Sequence, residues 1–199
     1  FDIVYGISVI EHIDQLPLAL SQIKSATKPG GLIYLQGNPI WSGPIGHHVW
    51  ITPYHNQSEG TYTFMTWPGD VSSISCNPIP DWGHLLMSPS EMEDHLLSIG
   101  IPPRDVIMLI DSIYFESKGT SISRLSFTDI ASAIAASGLI TLAMDVSEDI
   151  RFPGSLPAEE RIIALGSEKV ALQELQRRFG AAGNYKVTGV EYVLMKSHA

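Results

Sequence analysis

The chain of 199 residues holds one cysteine, Cys76, which excludes an internal disulfide framework and any zinc site built on paired cysteines. Positive charge is scarce: Lys+Arg number 12 against 21 Asp+Glu, a formal net charge of −9. Such a balance repels phosphate backbones and anionic lipid, so neither nucleic acid nor a membrane surface is an expected partner. Long apolar runs are missing too. The best of them, Ile130–Met144, falls short of the roughly 18–20 residues a membrane span needs. It is interrupted by Ser132, Ser137, Gly138 and Thr141, and Asp129 and Asp145 stand where basic anchors belong. No basic segment followed by an apolar one opens the chain, so a signal peptide is not expected, and a reducing, cytoplasmic setting fits best. There is no initiator Met, and the opening Phe1-Asp2-Ile3-Val4-Tyr5 is strand-like at once. A chain that begins inside an element is expected to continue a longer one.

What is present is ample core. Hydrophobic residues make up 44% and charged residues 17%, which predicts about one folded domain, at most one with a large insertion. Ile3-Val4-Tyr5 followed by Gly6 reads as a short buried strand. Apolar positions Ile10, Ile13, Leu16, Leu20 and Ile23 recur at spacings of three and four, which predicts one helical face over Val9–Ala26. Lys28-Pro29-Gly30-Gly31 stops that helix, and Leu32-Ile33-Tyr34-Leu35 is a second buried strand closed by Gly37-Asn38-Pro39. Strand, helix, glycine stop and strand make a right-handed βαβ unit of a parallel sheet, whose ligands sit outside the carboxyl ends of the strands. Those ends are Gly6-Ile7-Ser8 and Gly37-Asn38-Pro39.

Residues 38–90 differ in texture, holding Trp41, Trp50, Trp67 and Trp82 with His47, His48, His55 and His84. The stretch predicts a lid or substrate-binding insertion with short strands near Tyr62–Met65. Ser88-Pro89-Ser90-Glu91 starts a helix ending at Gly100. Val106–Ile110 reads as a strand, and Ser126 or Thr128 caps a helix that stops at Gly138. Residues 139–146 read as a strand, 158–179 as an amphipathic helix with a solvated charged face, and 187–195 as a last, antiparallel strand.

The ordered set Phe1-Asp2-Ile3-Val4, Val9-Ile10-Glu11-His12-Ile13 and Lys28-Pro29-Gly30-Gly31-Leu32 resembles the second half of class I S-adenosylmethionine-dependent methyltransferases. Pro39-Ile40-Trp41-Ser42, Gly46-His47-His48, Trp82-Gly83-His84-Leu85-Leu86 and Arg124-Leu125 resemble a bacterial subgroup found with glycan enzymes. The likeness implies an α/β fold, a partial Rossmann-like methyltransferase sheet of strands four to seven with the last strand antiparallel, and a long aromatic-rich insertion. It divides the chain into a βαβ unit at 1–37, a substrate-capping insertion at 38–125, and closing helices and a strand hairpin of the same domain at 126–199. One departure is large. The family's acidic-x-Gly-x-Gly cofactor loop has no counterpart in these residues and is expected upstream, so the 199 residues alone are expected to bind cofactor weakly and to be inactive.

The resemblance implies S-adenosylmethionine as cofactor, approached by Gly6, Ile7, Ser8 and Glu11, and methyl transfer to a small molecule or sugar, at oxygen. Oxygen acceptors need a proton removed, which a histidine near neutral pKa suits. His47, His48 and His12 are the candidate bases, against the alternative that they brace the insertion or pack beside Glu11. Trp41, Trp50 and Trp82 offer flat faces for a sugar or ring, His84 is a further candidate for substrate binding beside Trp41 and Trp82, and Arg124 is a partner for an anionic group; core filling and a structural ion pair are the plainer alternatives. Some quinone and small-RNA methyltransferases hold a divalent ion with Glu-x-x-Glu-His. Here Ser8 stands in the first glutamate's place and a Glu-His pair supplies too few ligands, so no metal is expected. The rival to an enzyme is a non-catalytic, truncated Rossmann-like module that binds a partner or glycan. Oligomeric state is not legible.

Overall fold

The computed structural model describes residues 1–48, 50–56, 61–65, 79–115, 122–148, 162–180 and 184–198. Cys76 and Trp67 lie outside them. The chain divides into two compact units, one of residues 1–46, 121–150 and 181–199, the other of 47–120 and 151–180.

The first unit is α/β, a four-stranded mixed sheet with helices. Its elements are β1 (Ile3–Gly6), α1 (Leu16–Ala26), β2 (Leu32–Gly37), α5 (Phe127–Ala136), β5 (Ile140–Ser147) and β6 (Gly189–Met195), numbered in chain order with those of the second unit. The strand order is β1-β2-β6-β5. β1 and β2 run parallel, and β6 enters antiparallel to both β2 and β5. Register puts Ile33 opposite Leu194 and Leu35 opposite Tyr192, so these side chains share one face. They are buried with Leu16 and Leu20 of α1 and Ile130 and Ile134 of α5 in one core. The other face carries a row in which Ile3 lies opposite Leu32, Leu32 opposite Met195, and Met195 opposite Ile140. Ile3, Leu32 and Ile140 are exposed there, as is Tyr5 at 73%.

The expected helix Val9–Ala26 is two pieces. Ile10–His12 forms a 3-10 turn, Ile13 is extended, and α1 begins only at Leu16. Pro17 is the physical reason: it lacks an N–H, so it fits the first turn of a helix and not the middle of a longer one. The apolar face survives the break, because Ile10, Leu16 and Leu20 are all fully buried. α5 starts at a capping box in which the Ser126 hydroxyl accepts from the Asp129 amide and the Asp129 carboxylate accepts from the Ser126 amide. Gly138, with φ +67, ends its last turn.

The second unit holds the hairpin β3 (Trp50–Asn56) and β4 (Thr61–Met65), then α2 (Gly83–Leu86), α3 (Pro89–Ser98), α4 (Pro103–Ile110) and α6 (Glu168–Phe179). α3 has the anticipated Ser88–Glu91 capping box, and Gly100, φ +89, follows it. The expected strand Val106–Ile110 is instead the body of α4, which runs on into a π-helical turn at Asp111–Phe115. Val106, Leu109 and Ile113 are buried while Ile107 and Met108 are exposed, a helical and not an alternating pattern. α6 begins at Glu168, capped by Ser167, and Ala164–Gly166 before it is a short 3-10 turn; the expected start near residue 158 lies outside the described residues. No described helix is long and apolar enough to cross a membrane.

Candidate functional site

At the carboxyl end of β1 the chain turns sharply. A Cβ on Gly6 would lie 2.6 Å from Val9 Cγ1, so the turn requires glycine. Ser8 follows in left-handed backbone, φ +50, a conformation that serine adopts at a cost of order 1–3 kcal/mol and that tends to cluster at functional sites. Gln36 holds it there: its side-chain carbonyl accepts from the Ser8 amide at 2.8 Å, and its backbone carbonyl accepts from the Val9 amide at 3.1 Å. Gln36 is one of the residues the sequence did not flag. Ile7, between them, is exposed.

The 3-10 turn then brings Glu11 back over the end of β2. A Cβ on Gly37 would lie 2.9 Å from Glu11 Oε2 and 2.8 Å from Ile10 Cβ, so the carboxylate occupies the space that a side chain at Gly37 would fill. The Ser123 amide fixes the turn by donating to the Glu11 backbone carbonyl at 2.8 Å. Glu11 is 2% exposed. Neither of its carboxylate oxygens has a hydrogen-bond partner among the described residues, and the same holds for Asn38 Oδ1. Burial pushes the Glu11 carboxyl above its ordinary pKa; the amides of Glu11 and Asn38, and the charge of His12, pull it partly back. His12 closes the turn and is half-buried.

Beyond the cis Asn38–Pro39 bond the chain is tied to the rest of this unit at two points. The Ile40 amide donates to the Thr188 carbonyl, and the Ser42 hydroxyl accepts from the Phe127 amide at the head of α5. Between these ties, Arg124 lays its guanidinium over the ring of Trp41, 5.2 Å from the centroid. Arg124 is exposed and also left-handed, φ +50. The two residues sequence reasoning proposed separately, one for a ring and one for an anion, therefore form one cation–π pair.

The remaining candidates belong to the second unit. His47 is fully buried and His84 is 5% exposed, and their rings meet edge to face with centroids 5.4 Å apart. His48, φ +55, and Trp82, φ +59, are further side chains in left-handed backbone. Trp82 precedes α2 and is 4% exposed, its ring packed rather than presented to solvent.

The structure thus gathers Gly6, Ser8 and Glu11 at the ends of β1 and β2, pairs Trp41 with Arg124 in the same unit, and pairs His47 with His84 in the other. Gln36, Gly37, Asn38 and Ser123 complete the first group. Gly37-Asn38-Pro39 is legible in sequence as a strand end, whereas the contributions of Gln36 and Ser123 depend on a fold that joins distant segments. Comparison of the chain with protein-family profiles, with curated proteins and with solved structures finds no match in any of the three.

Proposed function

We propose that the chain is the second half of a Rossmann-like, S-adenosylmethionine-dependent methyltransferase domain, and that the whole domain methylates a small-molecule or sugar acceptor at oxygen. The observation that carries this reading is the strand order β1-β2-β6-β5, in which the last strand is inserted antiparallel beside the second of two parallel strands. An antiparallel closing hairpin is also how the methyltransferases that the sequence resembles complete their seven-stranded sheet. The chemistry at the strand ends is compatible. Glu11 and Asn38 present buried acceptor atoms without donors, and a cation or a donor-bearing group is what such a set binds. S-adenosylmethionine, when bound, supplies a methyl group on a positively charged sulfur. The bends at Gly6 and Ser8 and the carboxylate of Glu11 are the residues of this chain that would face it. Trp41 and Arg124 suit a flat or ring-shaped acceptor bearing an anionic group.

The test is calorimetric titration of S-adenosylhomocysteine into the protein as encoded, including any coding sequence ahead of Phe1, because residues 1–199 hold no acidic-x-Gly-x-Gly turn. Saturable binding, displaced by S-adenosylmethionine, is the expected result. No binding, or binding of a glycan that is indifferent to either nucleoside, would replace the enzyme with a non-catalytic binding module.

A further inference from the structure

Three buried acceptor atoms at the end of β2, Glu11 Oε1 and Oε2 and Asn38 Oδ1, complete no hydrogen bond among the described residues, and the carboxylate feels only the nearby amides of Glu11 and Asn38 and the charge of His12. A buried carboxylate left in this way is costly, and folded chains seldom keep such a group without a use for it. The fold nevertheless provides for it. Gly37 leaves out the side chain that would displace the carboxylate, and the Ser123 amide pins the turn that carries it. The backbone next to it is held in strained form at Ser8. The site is therefore built, and the atoms it leaves unpartnered among the described residues are all acceptors.

Resting on the methyltransferase reading, we infer that Glu11 faces the reacting position, where its carboxylate takes the proton of the acceptor hydroxyl, and that Asn38 Oδ1 is the second acceptor for the same donor-bearing group. This moves the base from a histidine to Glu11. The acceptor O–H proton passes to a Glu11 oxygen as the oxygen–methyl bond forms. The methyl–sulfur bond breaks with its electron pair remaining on sulfur. Positive charge on sulfur and negative charge on Glu11 disappear together, leaving S-adenosylhomocysteine, a methyl ether and a neutral carboxylic acid that later returns its proton to water. Only nucleophiles that carry a proton to donate fit such a wall, which excludes thioethers and tertiary amines as acceptors.

Sinefungin tests this without knowledge of the acceptor, because it carries an ammonium in the place of the transferred methyl group, on a carbon that replaces the sulfur. Affinities of both are measured for the protein as encoded and for its Glu11→Gln and Glu11→Asp variants. In the wild type sinefungin should bind on the order of tenfold more tightly than S-adenosylhomocysteine, the worth of one charge-assisted hydrogen bond. Glu11→Gln should abolish that preference; Glu11→Asp should keep part of it. Equal binding of the two ligands by the wild type, or a preference that survives Glu11→Gln, overturns the inference and leaves the methyltransferase reading standing. So does a variant that weakens both ligands alike, since Glu11 would then meet their shared amino-acid end. Failure of S-adenosylhomocysteine to bind at all overturns the reading itself, and the inference with it.

Discussion

Replacing Glu11 by glutamine removes a charge without changing shape, in a place where burial outweighs the pull of the Glu11 and Asn38 amides and of His12 on that charge. The carboxyl is 2% exposed with both oxygens unpartnered among the described residues. Leaving a buried polar group unsatisfied costs about 1–3 kcal/mol, and more when it is charged. The glutamine amide brings two N–H donors to a wall that holds the orphaned Asn38 carbonyl, so the variant should be more stable by about 1–2 kcal/mol at neutral pH. For a chain of this length that raises the melting temperature by about 2–8 °C. The pH dependence has a definite sign. The folded pKa of Glu11 lies above its ordinary 4.5, so the unfolded chain gives up this proton first. The group's contribution is fully present below about pH 4.5 and is lost as pH rises through the raised value. Melts of the two proteins, followed by circular dichroism, should nearly coincide at about pH 4 and separate in favour of the variant by about pH 8. A Glu11→Gln protein that melts at or below the wild type at the higher pH would refute the reasoning, as would a gap that pH does not change. Either result would mean that the carboxylate has a partner that stabilises its charge.

Three further outcomes follow from local geometry. Ser126→Ala deletes the hydroxyl half of the capping box at α5 and should lower stability by about 1 kcal/mol, read as a shift in denaturation midpoint. Gly138→Ala places a Cβ at φ +67, 2.7 Å from the Lys24 ammonium, which there donates to the Ser137 and Gly138 carbonyls. Strain and the displaced contacts should together cost about 1–2 kcal/mol, whereas a stabilised variant would deny the left-handed cap. Tyr5→Lys charges a strand that pairs only with β2 among the described residues, at a site 73% exposed. Sedimentation of residues 1–199 should show less self-association with stability changed by under about 0.5 kcal/mol; a large fall in melting temperature would instead mean that this face is covered.

Most elements of the first unit were legible because each rests on a local signal. Alternating or continuous apolar runs marked β2 and β6, Gly138 marked the end of α5, and of the two candidate caps at its start, Ser126 and Thr128, the helix uses Ser126. The misreadings share a cause as well. Val106–Ile110 is five apolar residues in a row, which by itself suits a buried strand. The deciding partner, Ile113, lies outside the run, and only the spacing Val106, Leu109, Ile113 reveals a helix. Pro102-Pro103 and Asp105, at the head of α4, were the start signal that went unused. In Val9–Ala26 the spacing was read correctly and the continuity was not. A helical face records which side chains are buried, and the 3-10 turn, the extended Ile13 and α1 all turn their apolar residues to the same core.

The strand ends around the candidate site were legible, and the environment of Glu11 was not. Carboxyl ends of parallel strands draw attention to Gly6–Ser8 and Gly37–Pro39 from the βαβ pattern alone. Histidines then attract the role of base because their ordinary pKa suits it, whereas a glutamate at the start of a helical turn reads as a partner for the helix dipole. What changes the weighting is environment, and environment is not local in sequence. Glu11 is set apart by Gly37, 26 positions on, which leaves it room, and by Ser123, far along the chain, which fixes its backbone. Burial then does to this carboxyl what solvent does not, raising its affinity for a proton toward the range where a base can work. A residue's type gives its starting pKa; the distant residues that bury it decide whether it acts as a charge, a brace or a base.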